Sequence, residues 1–187
     1  MRIRYNAPTV LSFAFISAAV LILSQTVARS LTEQWFLVPG SEGFSAGSLR
    51  NWVSLFTHVL GHASWNHLIS NFAFILLIGP ILEEIYGSVS LLIMISITAL
   101  VTGILNVVFF SSSLLGASGV VFMMILLASF TNFNKGEVPL TFILILILYL
   151  GRELYNSFGS ATGNISEFAH IVGGFIGSLF GFFRYNR

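Results

Sequence analysis

The sequence predicts an all-α integral membrane protein, built as a bundle of six transmembrane helices. Of its 187 residues, 56% are hydrophobic and only 8% are charged, whereas about 25% of the residues of an ordinary soluble domain are charged. Several apolar runs also approach the roughly 20 residues that a helix needs to cross a bilayer. Because these runs fill the chain, we expect a single membrane domain over residues 1–187.

Hydropathy places the six spans at residues 7–28, 66–86, 89–110, 116–130, 138–150 and 166–183. The fourth and fifth spans are short, so neighbouring helices must shield them or they must begin in a water-filled cavity.

Arg2 and Arg4 precede the first apolar run, as in a signal peptide. That run is longer than a signal core of about 7 to 15 residues, so we expect a retained span.

The longest connection, residues 30–65, carries all three tryptophans of the chain. Amphipathic rings suit the level of the lipid headgroups, so we expect this first loop to be partly embedded in the membrane. With six spans, both termini lie on one side, together with the larger share of the lysines and arginines. The positive-inside rule therefore favours cytoplasmic termini and an outward-facing first loop.

Composition also excludes several classes of function. The chain has no cysteine, which rules out disulfides, a cysteine nucleophile and cysteine-based metal sites. The net charge is +1 and the basic residues are scattered, so no nucleic-acid partner is expected. Aspartate is absent as well, and a serine–histidine–aspartate triad is therefore impossible.

Polar residues inside apolar spans are costly, so their positions are the best guide to a functional site. His67 and Asn71 lie at the start of the second span, Ser118 opens the fourth and His170 opens the sixth. Alternate spans run in the same direction, so these three starts lie at one face of the membrane. The four side chains are therefore expected at similar depth.

These residue types suit acyl transfer. A serine hydroxyl needs a base to remove its proton, and a nearby histidine can do this near neutral pH. We expect Ser118 to be the nucleophile and His170 to be its base. Ser118 stands at a helix N-terminus, where unpaired N–H groups can face a developing negative charge. His67 and Asn71 are one helical turn apart, so both can donate to an oxyanion. Glu167 could orient His170, although a dyad is the simpler hypothesis.

Over about residues 57–181 the sequence resembles the rhomboid family of intramembrane serine proteases. His67 and Asn71 match the family's His-x-x-x-Asn motif, residues 116–119 match Gly-x-Ser-Gly, and residues 169–177 match Ala-His-x-x-Gly-x-x-x-Gly. The resemblance implies a six-helix bundle with a water-filled cavity and a Ser118–His170 dyad. It also implies oxyanion donors from His67, Asn71 and the backbone of Ser118 and Gly116.

The same resemblance implies that the substrates are transmembrane helices, that the bilayer is the medium, and that neither a metal nor a cofactor is needed. The short tails resemble a prokaryotic form in the inner (cytoplasmic) membrane, with an active site that opens toward the outer face. His58 and His62 look like additional family histidines with a structural or water-retaining role. Glu83 and the glycines Gly173 and Gly177 look like helix-packing features.

The sequence departs from the family at two places. Phe122 occupies the position where many members have a tyrosine under the catalytic histidine, so stacking is kept and the hydroxyl is lost. In the first loop, Arg50 and Trp52 stand in the reverse order of the family's Trp-Arg pair. Detailed properties of that loop are therefore not transferred to this chain.

Three alternatives remain at this stage: an inactive rhomboid-like chaperone or substrate binder, a metal protein that uses His58, His62 and His67, and a transporter. The first usually lacks the serine or the histidine, the second lacks a His-Glu-x-x-His motif, and the third usually shows charged or broken spans or an internal repeat.

Overall fold

The computed structural model describes residues 4–130, 140–145, 147–148 and 165–185. Within these ranges the chain is helical, apart from loops and an isolated antiparallel bridge between Val38 and Leu114. The helices are α1 (Pro8–Gln25), α2 (Leu31–Trp35), α3 (Leu49–Thr57), α4 (Trp65–Tyr86), α5 (Ser88–Phe109), α6 (Ser118–Ser129), α7 (Leu140–Ile145) and α8 (Ile165–Tyr185), with a 3₁₀ turn at His58–Leu60.

Three of the described helices, α1, α4 and α5, are long and apolar enough to cross a membrane. They begin and end within three residues of the first three predicted spans. The helices α6 and α8 carry the fourth and sixth predicted spans, with shorter apolar stretches. The predicted fifth span, 138–150, falls only partly within the described residues. An all-helical protein is confirmed over these ranges, and the number of six spans stays a prediction.

The first loop is more ordered than the sequence analysis expected. It contains α2, α3 and the 3₁₀ turn, and Trp65 is the first residue of α4 rather than part of the loop. The guanidinium carbon of Arg50 lies 5.4 Å from the centre of the Trp35 ring. This contact joins α3 to α2.

Helix α6 lies at the centre of the bundle. From Gly119 to Leu127 every side chain is buried, as expected for a helix that is apolar on all sides. Helix α8 packs along it closely, because a Cβ atom added at Gly173 or Gly177 would overlap the backbone carbonyl of Gly119 or Met123, respectively. Small residues of this kind let membrane helices approach, since no hydrophobic driving force operates between helices in lipid.

Glu83 joins the start of α1 to the end of α4. Its carboxylate accepts hydrogen bonds from the N–H groups of Thr9 at 2.8 Å and Val10 at 3.0 Å. The residue before α1, Ala7, offers no side-chain cap, so Glu83 supplies the acceptors that the first turn of α1 needs. The Thr9 hydroxyl also donates to the Ser88 carbonyl at 3.0 Å, which places the starts of α1 and α5 at the same face.

Candidate active site

The segment that leads into α6 is held by backbone hydrogen bonds to the first loop. Val38 and Leu114 exchange two such bonds, of 3.0 and 2.9 Å, and the Gly116 N–H donates to the His58 carbonyl at 3.0 Å. These bonds fix the position of Gly116 two residues before Ser118. Because the Gly116 N–H already donates to the His58 carbonyl, it is not free to donate to an oxyanion, as the sequence had suggested.

Gly116 also needs its lack of a side chain. Its φ angle is +115°, in the region that favours glycine. A Cβ atom added there would lie 2.6 Å from both Cε1 and Nε2 of His67, and 3.8 Å from Nδ2 of Asn71. The imidazole of His67 and the amide of Asn71 therefore both border the backbone of Gly116.

His67 and Asn71 are positioned by the first turns of α4. The helix begins after Ser64, whose hydroxyl oxygen accepts a hydrogen bond from the His67 N–H at 3.2 Å, as a serine at this position commonly does. The His67 side chain is half-buried, and Asn71, one turn later, is buried. Among the described residues no group accepts a hydrogen bond from Nδ2 of Asn71.

The contact between α6 and α8 positions Ser118 and His170. Ser118 is the first residue of α6 and is half-buried. Phe122 follows one turn later, and its ring stacks on that of His170 with a centroid separation of 4.3 Å and an interplanar angle of 6°. His170 of α8 therefore contacts α6 one turn after Ser118, and His67 of α4 borders Gly116, two residues before Ser118.

His62 lies behind His67. The two rings meet edge to face with centroids 5.0 Å apart, and His62 makes a similar contact of 5.8 Å with Phe72. Burial, together with the neighbouring His67, lowers the pKa of His62 to about 4. His62 is therefore neutral at neutral pH, as an uncharged packing group for the His67 ring.

The His58 ring lies between α3 and α5. Its Nδ1 is 3.2 Å from the Ser54 carbonyl oxygen, and its Nε2 is 3.4 Å from the Thr102 hydroxyl oxygen. Complete burial lowers its pKa to about 4. A neutral ring that donates from Nδ1 to Ser54 fits both observations, so His58 ties the first loop to the bundle.

The sequence analysis missed a polar row on α5. Thr98, Thr102 and Asn106 follow one another at four-residue spacing and are buried. Thr102 contacts His58, and Nδ2 of Asn106 donates to the Ser112 carbonyl at 3.2 Å. Three polar residues on one face of an otherwise apolar span were a detectable signal, because such residues are expensive in lipid.

The other predicted residues lie away from the site or outside the described side chains. Glu83 is sixteen residues after His67 on the same helix, which corresponds to about 24 Å. The side chain of Glu167 lies outside the described part of the chain. Among the side chains that are described, no three histidine or acidic groups are arranged to hold a metal ion.

The family model for the Rhomboid domain matches residues 49–187. The chain belongs to the rhomboid family. The matched region contains every residue of the candidate site, from His58 to Gly177. Family membership, together with the three apolar helices that are long enough to span a bilayer, makes this chain a membrane protein.

The chain is also similar to a protein described as Rhomboid protease GlpG from Haemophilus influenzae (strain ATCC 51907 / DSM 11121 / KW20 / Rd). The two sequences are 27% identical over 130 residues, which cover 67% of this chain and 66% of that relative. The chain thus spans just under two thirds of the length of the curated relative that it matches.

Proposed function

We propose that this rhomboid is an intramembrane serine endopeptidase that cleaves transmembrane-helix substrates through an acyl-enzyme. Ser118 is the nucleophile and His170 is the general base. The observation that carries the proposal is the pair of contacts on either side of Ser118: Phe122, one turn later, stacks on His170 at 4.3 Å, and Gly116, two residues earlier, borders His67. Membership of a family with a named protease relative supports the same reaction.

In the first step His170 takes the proton of the Ser118 hydroxyl, whose oxygen then adds to the scissile carbonyl. The stack on Phe122 holds the imidazole plane by contact alone, because phenylalanine carries no hydroxyl. The tetrahedral intermediate collapses when His170 returns the proton to the leaving amine. Water, deprotonated by His170 in turn, attacks the acyl-enzyme, and His170 then passes this proton to the Ser118 oxygen as the second product leaves.

The negative charge that develops on the carbonyl oxygen needs donors that are already in place. We assign this role to the Ser118 N–H, the His67 ring and Nδ2 of Asn71. The Asn71 amide is a well-suited donor, because it is buried and no described group of the protein accepts its hydrogen bond. Gly116 leaves room beside these donors, where any side chain would contact the His67 ring.

The starts of α4, α6 and α8 all carry site residues, so the site opens at one face of the membrane. We propose that this is the outer face of a prokaryotic inner membrane, with both termini in the cytoplasm. The charge bias of the loops supports this orientation. A substrate helix would have to unwind locally there, since a helical peptide bond is not accessible to Ser118. The reaction needs no metal, cofactor or nucleic acid.

The test is cleavage of a reporter transmembrane substrate by the purified protein in liposomes. Wild type is expected to cleave, and Ser118→Ala and His170→Ala are expected to be inactive while folded. Ser129→Ala is the matched control, because Ser129 lies at the other end of α6 and, among the described residues, its hydroxyl donates to the Ile125 carbonyl of its own helix. Equal cleavage by all four proteins would refute the assignment. Binding of substrates by wild type without cleavage of any would favour the chaperone alternative.

A further inference from the structure

One carbonyl oxygen of the first loop joins two glycines that are far apart in sequence. The His58 carbonyl accepts a hydrogen bond from the Gly116 N–H at 3.0 Å and another from the Gly61 N–H at 3.1 Å. A carbonyl oxygen has two lone pairs, so both are used. The turn before α4 and the segment before α6 therefore meet at a single atom.

Gly61 has no room for a side chain. A Cβ atom added there would lie 2.6 Å from Cδ1 of Leu115 and 2.6 Å from Cβ of Phe36, whereas carbon atoms pack at about 3.5 to 4.0 Å. Phe36 directly follows α2, and Leu115 directly precedes Gly116. Gly61 is therefore in close contact with the end of α2 and with the segment that leads into α6.

The constraint at Gly61 is one of space and not of backbone conformation. Its φ angle is −83° and its ψ angle is 142°, an extended conformation that residues with a side chain adopt readily. Gly61 is buried, and the Cβ atom of Phe36 is attached to its backbone, so a change of rotamer cannot move it away. A side chain at Gly61 would therefore displace backbone.

Such a displacement would reach the proposed oxyanion site through Gly116. A shift of Leu115 away from Gly61 also shifts the Gly116 peptide, because the two residues are adjacent in the chain. The same peptide donates to the His58 carbonyl that Gly61 shares. Gly116 in turn borders the His67 ring, since a Cβ atom added at Gly116 would lie 2.6 Å from Nε2 of His67.

We propose that Gly61 is a positioning residue for the hydrolysis proposed above. Its lack of a side chain allows the Gly116 N–H to reach the His58 carbonyl, and the Gly116 backbone held in this way fixes the His67 ring as an oxyanion donor. The inference rests on the proposed function, because the role of His67 does. Gly61 acts through Gly116 and takes no part in the chemical steps.

The test compares Gly61→Ala with Gly47→Ala in cleavage of the reporter substrate in liposomes. Gly47 belongs to the same loop, but the nearest atom to a Cβ added there is 3.9 Å away, an ordinary contact. Gly61→Ala is expected to lower kcat about tenfold with KM unchanged, because a displaced oxyanion donor weakens only the transition state. Gly47→Ala should keep the wild-type kcat. Equal kcat values for the two folded variants would overturn the positioning role.

A second readout does not depend on proteolysis. The chain has four histidines, so NMR of histidine-labelled protein can resolve the His67 ring, with His67→Gln for assignment. The His67 signals should shift in Gly61→Ala and stay in place in Gly47→Ala. Unchanged signals in Gly61→Ala would overturn the inference, whatever the cleavage assay shows. Shifted signals in a protein whose wild type cleaves no substrate would support the link between Gly61 and His67 and count against the proposed function.

Leu115→Ala tests the contact from the other side, because it removes Cδ1, one of the two atoms that the added Cβ would meet. In the Leu115→Ala background, Gly61→Ala is expected to lower kcat by less than about threefold, since substitutions of contacting residues are not additive. A full tenfold loss in that background would exclude the contact as the cause. If Gly61→Ala alone does not fold, the His67 signals of Leu115→Ala are compared with those of wild type, and unchanged signals would overturn the inference.

Discussion

Gly116→Ala tests whether the proposed oxyanion donor His67 depends on the lack of a side chain at Gly116. An added Cβ would lie 2.6 Å from two atoms of the His67 ring, whereas carbon atoms pack at about 3.5 to 4.0 Å. The ring must therefore move by about 1 Å, and a displacement of that size in a catalytic group can reduce the rate about 100-fold. The positive φ of +115° adds strain of about 1 to 3 kcal/mol.

Gly87→Ala separates the two effects. Gly87 also has a positive φ, of +84°, but no atom lies within 4 Å of an added Cβ. Both variants should therefore lose stability in detergent unfolding through backbone strain, and only Gly116→Ala should lose about 100-fold in reporter cleavage per folded molecule. Full activity of folded Gly116→Ala, or an equal loss of activity in Gly87→Ala, would show that the contact with His67 does not matter for catalysis.

Three further predictions concern stability and catalysis. Glu83→Gln should lower the free energy of unfolding by about 3 kcal/mol, because the N–H groups of Thr9 and Val10 lose their charged acceptor. The control is Glu84→Gln at the exposed neighbouring position, which should change the free energy of unfolding by less than about 0.5 kcal/mol. Equal effects of the two substitutions would contradict the role of Glu83. His58 and His62 have pKa values of about 4 in the fold, against 6.5 in the unfolded chain. Both rings are neutral in both states above pH 6.5, and below it only the unfolded chain binds the protons readily. The free energy of unfolding should therefore be highest above pH 6.5 and fall as the pH is lowered toward 4. The loss is up to about 3 kcal/mol for each residue, and a flat unfolding profile over that range would refute it. Asn71→Ala should reduce kcat about 100-fold or more without loss of stability, because Nδ2 has no acceptor among the described residues; a lower unfolding midpoint would indicate a structural role.

The elements that sequence predicts best here are those with long apolar runs. The helices α1, α4 and α5 begin and end within three residues of the predicted spans, because their hydropathy is a property of the local sequence. The direction of alternate spans also led to the expectation that His67, Asn71, Ser118 and His170 share one depth. The structure brings His67 to Gly116 and His170 to Phe122 by the same three helix starts.

The features that were not predicted depend on contacts between distant residues. The short helices α2 and α3 lack an apolar run long enough for hydropathy to predict them. They are held in place by contacts such as that between Arg50 and Trp35. The Gly116 N–H donates to the carbonyl of His58, 58 residues away in sequence, and no local pattern indicates such a bond. The contact between Thr102 and His58 likewise requires α3 to be docked on α5.

The most direct test of the proposed nucleophile is covalent labelling with a fluorophosphonate, which reacts with a serine hydroxyl only when the protein activates it. Wild type should be labelled on Ser118 alone, as read by peptide mass spectrometry. Labelling should be lost in Ser118→Ala, strongly reduced in His170→Ala and unchanged in Ser129→Ala. Modification of another serine, or labelling of Ser118 that does not depend on His170, would contradict the proposed dyad.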